Sequence, residues 1–150
     1  YTLLLELYPQ SPRVAQARFA KCRIEWKNAP THGTFTKKHY DVVQRRLVTE
    51  LQQIRRDYPE CPDTAAILRL LIDVAGQPDL CDWRTTADAL VALYDLDRSV
   101  GPDTLYRAAE MYETKAGLPK LASAVYERFA AEYPADPRAA EARTRARSLL

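Results

Sequence analysis

Tyr8-Pro9-Gln10-Ser11-Pro12, Tyr58-Pro59-Glu60-Cys61-Pro62 and Tyr133-Pro134-Ala135-Asp136-Pro137 are three copies of one pattern, Tyr-Pro-x-x-Pro, in a chain of 150 residues. Proline chemistry makes that pattern a helix stop followed by a helix start. The first Pro cannot donate a backbone hydrogen bond and disfavours helical geometry in the residue before it, so an incoming helix ends at the Tyr. The second Pro suits the first turn of the next helix, where an amide hydrogen would have no partner. Ser11 and Asp136 add side-chain oxygens that can cap free first-turn N–H groups. Each Tyr follows apolar residues four and seven positions earlier: Leu4 and Tyr1, Ile54 and Leu51, Phe129 and Tyr126. That is the spacing of one helix face. The Tyr ring is expected on the turn, its hydroxyl reaching water or a backbone carbonyl.

Working outward, Gly101-Pro102 stands in the same context, with Asp97-Arg98-Ser99-Val100 as a degenerate version of the preceding residues. The starts at Pro12, Pro62, Pro102 and Pro137 lie 50, 40 and 35 residues apart, which predicts a helix-pair repeat of drifting length. Each interval breaks once more. A loop at 28–34 is followed by a second helix from about Thr36. Its Tyr40, Val43, Leu47, Leu51, Ile54 and Tyr58 form one apolar stripe. Gly76 closes a third helix that begins near Pro62 and is suited to a left-handed cap. A fourth helix spans about 83–96, with Ala87, Leu90, Val91 and Tyr94 on one face. Gly117 closes the fifth, Pro119 starts the sixth, and Pro137 starts the seventh. No segment alternates like a half-buried strand. The chain reads as all-α, about seven helices in a single domain over 1–150. It opens at Tyr1 rather than Met, and residues 1–8 read as the end of a helix, so a piece of a longer protein is expected.

Composition agrees. The chain is 47% hydrophobic and 28% charged, with 10 Pro and only 4 Gly, which excludes a disordered tail and argues against a turn-rich all-β fold. No apolar run approaches the ~20 residues of a membrane-spanning helix. Net charge is +2, so nothing compels a nucleic-acid or anionic-membrane partner. Three cysteines allow at most one disulfide. Cys22 sits on an apolar helix face as a small core residue. Cys61 and Cys81 flank a predicted helix about 22 Å long, so that pair would bridge only if the helix were much shorter.

With these turns on either side, the unit at residues 103–134 resembles a tetratricopeptide (TPR) repeat. Ala109 and Tyr112 match small and aromatic positions of its first helix; Ala122, Tyr126 and Pro134 match the second. The stretch between Tyr112 and Ala122 is one residue longer than the consensus, and Tyr106 stands near the place of its usual Trp. The Tyr-Pro-x-x-Pro junction is similar to the Tyr-Pro-x-Ser-Pro turn of bacterial envelope TPR proteins, including outer-membrane β-barrel assembly lipoproteins and the periplasmic Tol–Pal coordinator. The resemblance implies an α-solenoid of antiparallel helix pairs. It also implies a scaffold that binds a peptide or partner protein in a concave groove, in the periplasm or envelope; a cytoplasmic location is the alternative.

Chemistry-bearing motifs are sparse: no Gly-rich phosphate loop, no Gly-x-Ser-x-Gly and no His-Glu-x-x-His. A metal site would need Cys22, His32 and His39 to converge from a loop and two helices, so no metal or cofactor is expected. Cys61 could sit at a helix N-terminus, but no base stands beside it in sequence. Asp57 with Arg56 and Glu141 with Arg145 read as surface pairs. The basic groups Lys37-Lys38, Arg45-Arg46, Arg55-Arg56 and Arg138, Arg143, Arg145 and Arg147 read as solvated faces. Their interleaved aromatics, Tyr40 and Tyr58, belong to the apolar stripe, and so no nucleic acid is expected. On the first helix, Ala15, Phe19, Cys22 and Trp26 form one stripe and Ala17, Ala20 and Ile24 another. That leaves Arg18, Lys21 and Glu25 on a free strip. By repeat position, Arg69 and Asp73, and Arg107, Glu110 and Glu113, would continue it as partner-binding residues. A non-catalytic interaction module is the first reading. A helical domain appended to an enzyme or regulator, or an RNA-binding repeat, remain alternatives.

Overall fold

A computed structural model describes residues 7–9, 11–29 and 37–150, with 37–40 described by backbone alone. The expectations that fall on residues 1–6, on loop 30–36 with His32, and on the side chains of Lys37, Lys38, His39 and Tyr40 lie outside the described residues. The described chain is all-helical, without a strand. It runs α1 (Pro12–Lys27), α2 (Lys37–Asp57), α3 (Thr64–Ala75), α4 (Trp83–Leu96), a short 3-10 turn (Arg98–Val100), α5 (Pro102–Thr114), α6 (Pro119–Glu132) and α7 (Ala139–Ser148).

The repeated sequence pattern is a repeated backbone. In each copy the fourth residue donates its N–H to the Tyr carbonyl: Ser11 to Tyr8 at 3.0 Å, Cys61 to Tyr58 at 3.1 Å and Asp136 to Tyr133 at 3.0 Å. The carbonyl of that fourth residue then accepts from the residue three further on: Val14 at 2.9 Å, Thr64 at 3.1 Å and Ala139 at 2.9 Å. Two successive i→i+3 bonds thus take up backbone groups that the end of one helix and the start of the next would leave orphaned. The degenerate junction repeats both bonds without the Tyr, Gly101 to Arg98 at 3.1 Å and Thr104 to Gly101 at 3.3 Å. As expected from the pattern, the Tyr58 hydroxyl donates to a backbone carbonyl, that of Pro9 at 2.5 Å.

Three local expectations are corrected. Pro62 and Pro137 stand two residues ahead of their helices, which start at Thr64 and Ala139, the prolines lying in the turn that precedes each helix. Gly76 caps α3 with a right-handed backbone (φ −79); among the described residues the left-handed non-glycine one is Cys81 at φ 52, a conformation that costs about 1–2 kcal/mol. Gly117 at φ 63 closes α5 as the sequence predicts, while Leu118 N–H reaches back to the Tyr112 carbonyl at 2.8 Å.

The chain divides into two compact units, Tyr1–Cys81 and Asp82–Leu150. In the first, Leu47, Val48, Leu51 and Ile54 of α2 are buried with Val14, Ala15, Phe19 and Cys22 of α1 and with Ile67, Leu68, Leu71 and Val74 of α3. Cys22 is the small core residue its position predicts, and burial pushes its thiol up to about 11. All three thiols are free. Gln44 lies fully buried in the α2 stripe, and neither atom of its amide has a hydrogen-bond partner.

The second unit follows a different packing rule. Alanines 87, 89, 108, 109, 122, 130, 139, 142 and 146 are buried, bringing helix backbones close, and aromatic rings fill what remains. Tyr106 meets Tyr126 and Phe129 edge-on, centroids 5.6 and 5.0 Å apart. Three of the four buried phenols place their hydroxyls on a carboxylate: Tyr94 on Glu132, Tyr112 on Asp88, and Tyr126 on Glu113 at 2.7 Å. Burial first, and those bonds second, raise all three above the usual tyrosine range. The Arg138 guanidinium lies 4.9 Å from the Tyr106 ring centre and 5.4 Å from that of Phe129. It also holds Asp136 at 2.9 Å and Asp103 at 2.7 Å.

Two expectations follow. Gln44→Met keeps the reach of the side chain and removes an unpaired amide, so it should stabilise the chain by about 1 kcal/mol; a lower urea midpoint would show that the amide is satisfied. Asp136, bonded to the Arg138 side chain and then to its backbone N–H, has its carboxyl lowered from 3.8 to about 2. Its contribution is present above about pH 4 and lost as the pH falls through 2. The stability gap between wild type and Asp136→Asn in urea melts should therefore be constant near neutrality and close between pH 4 and 2. A gap independent of pH would contradict this account.

Candidate functional site

An open depression lies within the first unit, between α1 and α3. It is a groove of about 540 Å³ lined by Ala20, Arg23, Ile24, Trp26, Lys27 and Leu70, within the size range of binding pockets. Its geometry follows from how α1 is turned. Ala15, Phe19 and Cys22 point into the core, as predicted. The second apolar stripe does not. Ala17 and Ala20 are half-buried, and Ile24, in the last turn of α1, is 61% exposed. The half-buried Trp26 closes one wall, its indole N–H donating to Asp73 of α3 at 2.6 Å. Arg23 and Lys27, both exposed, rim the groove.

The strip expected to be free faces α2 instead. Arg18 holds Glu50 at 2.7 Å and Asp57 at 3.1 Å. The bond to Glu50 outweighs the opposing effect of partial burial and keeps its guanidinium more firmly protonated than usual. Glu25 accepts from Arg46 at 2.8 Å. Of the three, Lys21 alone is exposed without a carboxylate within 4 Å among the described residues. On α3, Arg69 is exposed and Asp73 is engaged by Trp26. On α5, Arg107 is exposed, Glu113 accepts from Tyr126, and Arg145 of α7 stands 3.4 Å from Glu113 and 3.8 Å from Glu110. The nominated carboxylates are thus bonded to neighbouring helices. Of the surface pairs, Glu141–Arg145 forms at 2.7 Å, whereas Asp57 bonds Arg18 and Gln53 rather than Arg56.

Sequence reasoning missed Arg23, Ile24, Lys27 and Leu70. A signal was there: α1 carries Arg13, Arg18, Lys21, Arg23 and Lys27 against Glu25 alone. A core-facing helix with that imbalance has cations to spare. Among the described residues, no three His, Cys, Asp or Glu side chains gather as a metal site, and no helix is long and apolar enough to cross a membrane. No protein-family model, curated protein or solved structure matches the chain.

Arg18 and Lys21 should separate in a stability measurement. Glu50 and Asp57 are each over a third exposed, so solvent screening limits the loss on Arg18→Gln to about 1 kcal/mol. Lys21→Gln should stay within about 0.5 kcal/mol of wild type. Equal losses in thermal melts would mean that the Arg18 pairs carry no stability.

Proposed function

We propose that this chain is a non-catalytic helical-repeat module that binds a segment of a partner protein in the α1/α3 groove. The observation that carries the reading is that groove, with the exposed Ile24 and the half-buried Leu70 and Trp26 giving it an apolar lining. The contacts support antiparallel pairing within each unit. Tyr58 at the end of α2 reaches Pro9 ahead of α1, and Ser123 near the start of α6 donates to Ala146 near the end of α7 at 2.8 Å. Helices once removed run the same way in this reading. Asp103 and Arg138 pair start to start, and Glu113 and Arg145 pair end to end. Such packing places first helices side by side, the arrangement on which repeat proteins build their binding faces. The Tyr-Pro turns add an envelope setting, to be checked by fractionation of the full-length protein.

A photo-crosslinking phenylalanine analogue in place of Ile24, in the full-length protein in cells, should give a discrete protein adduct. The adduct should be absent when the analogue replaces Arg147 on α7 and abolished by Leu70→Glu. Adducts of equal yield at both positions, or none at position 24, would remove the groove as a binding site.

A further inference from the structure

The groove's apolar floor and its cations, which meet no carboxylate within 4 Å among the described residues, together point to the chemistry of the occupant. We infer that it takes an acidic amphipathic protein segment, one whose apolar side chain enters beside Ile24 while flanking Asp or Glu residues meet Arg23 and Lys27. This rests on the groove being a protein-binding site. The charge argument is specific. Of the five cations of α1, Arg18 is neutralised by Glu50 and Asp57. The one carboxylate of α1, Glu25, is taken by Arg46. Asp73, the carboxylate beside the groove, accepts from Trp26 and Gln77. Arg23 and Lys27 therefore rim the groove with no carboxylate within 4 Å among the described residues; the nearest aromatic partner of Arg23 is Phe19, at 5.9 Å. A low-polarity floor between two such cations strengthens attraction to an incoming carboxylate.

The same features disfavour other anionic partners. A membrane surface would engage a broad apolar helix face, whereas here a single Ile projects, between Leu70 of α3 and Trp26. An RNA strand would stack bases on free aromatic faces, and Trp26, the aromatic that lines the groove, is half-buried with its N–H held by Asp73.

The test uses two peptide libraries with the same Leu, Ile and Phe anchors, one flanked by Asp and Glu and the other by Lys and Arg. Phosphatidylglycerol vesicles and a single-stranded oligoribonucleotide are run beside them. Binding to the full chain is read from Trp26 fluorescence in a Trp83→Phe background, with melting curves confirming that each variant folds. The acidic library should supply the binders. Their affinity should fall about tenfold in the Arg23→Glu/Lys27→Glu variant and weaken as salt rises from about 50 to about 500 mM. Ile24→Asp should abolish it. Preference for the basic library, or affinity unmoved by the double reversal, would overturn the acidic occupant while leaving a protein-binding groove. Binding of vesicles or RNA with no peptide binding from either library would overturn both.

Discussion

A chain that turns from one helix into another leaves as many as eight backbone groups without helical partners, and the turn that satisfies them sets where both helices lie. In this protein the paired i→i+3 bonds of the Tyr-Pro-x-x-Pro turn meet part of that demand. The residue between the two prolines that accepts the second bond also donates the first, so stop and start are a single backbone event. The Tyr completes it. Its ring continues a buried helix face, Leu51–Ile54 in one copy and Tyr126–Phe129 in another. Its hydroxyl reaches outward, Tyr58 to Pro9 and Tyr133 to Tyr94 at 2.7 Å. Where the Tyr is missing, Arg98 takes its place in the turn and lays its guanidinium 4.5 Å from the Tyr94 ring centre.

The two units then solve packing differently. The first buries branched aliphatics from three helices and tolerates an unpaired amide at Gln44 among them. The second brings helices together on alanine and fills the remainder with phenols, each of whose hydroxyls needs an acceptor. That need recruits Asp88, Glu113 and Glu132, and arginines stand against all three: Arg84 beside Asp88, Arg145 beside Glu113, Arg98 and Arg128 on Glu132. At Glu132 burial acts to raise the carboxyl, but Tyr94 and Arg128 prevail and hold it below its ordinary value. Part of the surface charge of this unit thus follows from using tyrosine as core filler.

How much of this was legible follows from the range of each interaction. Helix ends are decided by residues within about four positions, and Pro12, Trp83, Pro102, Gly117 and Pro119 mark them correctly. The role of Arg18 depends on Glu50 and Asp57, 32 and 39 residues further along, and no local pattern announces them. The stripes of α1 show why the groove escaped notice. Ala15-Phe19-Cys22 and Ala17-Ala20-Ile24 are equally apolar, and only the placement of α2 and α3 decides which of them is covered. Periodicity reports that a helix has an apolar side; it does not report that a second such side faces water.

The recurrence of one hydrogen-bond geometry at four junctions has a bearing on how such a chain can change its length. Because each turn closes on its own backbone groups, a gene segment duplicated or lost between equivalent turns would join matching ends, at Tyr8, Tyr58, Arg98 or Tyr133, without opening a new loop. The junction lacking Tyr and the first Pro keeps both bonds, so sequence at these seams can drift far while the seams still fit. Homologous chains would then differ by whole helix pairs more readily than by single residues within a turn.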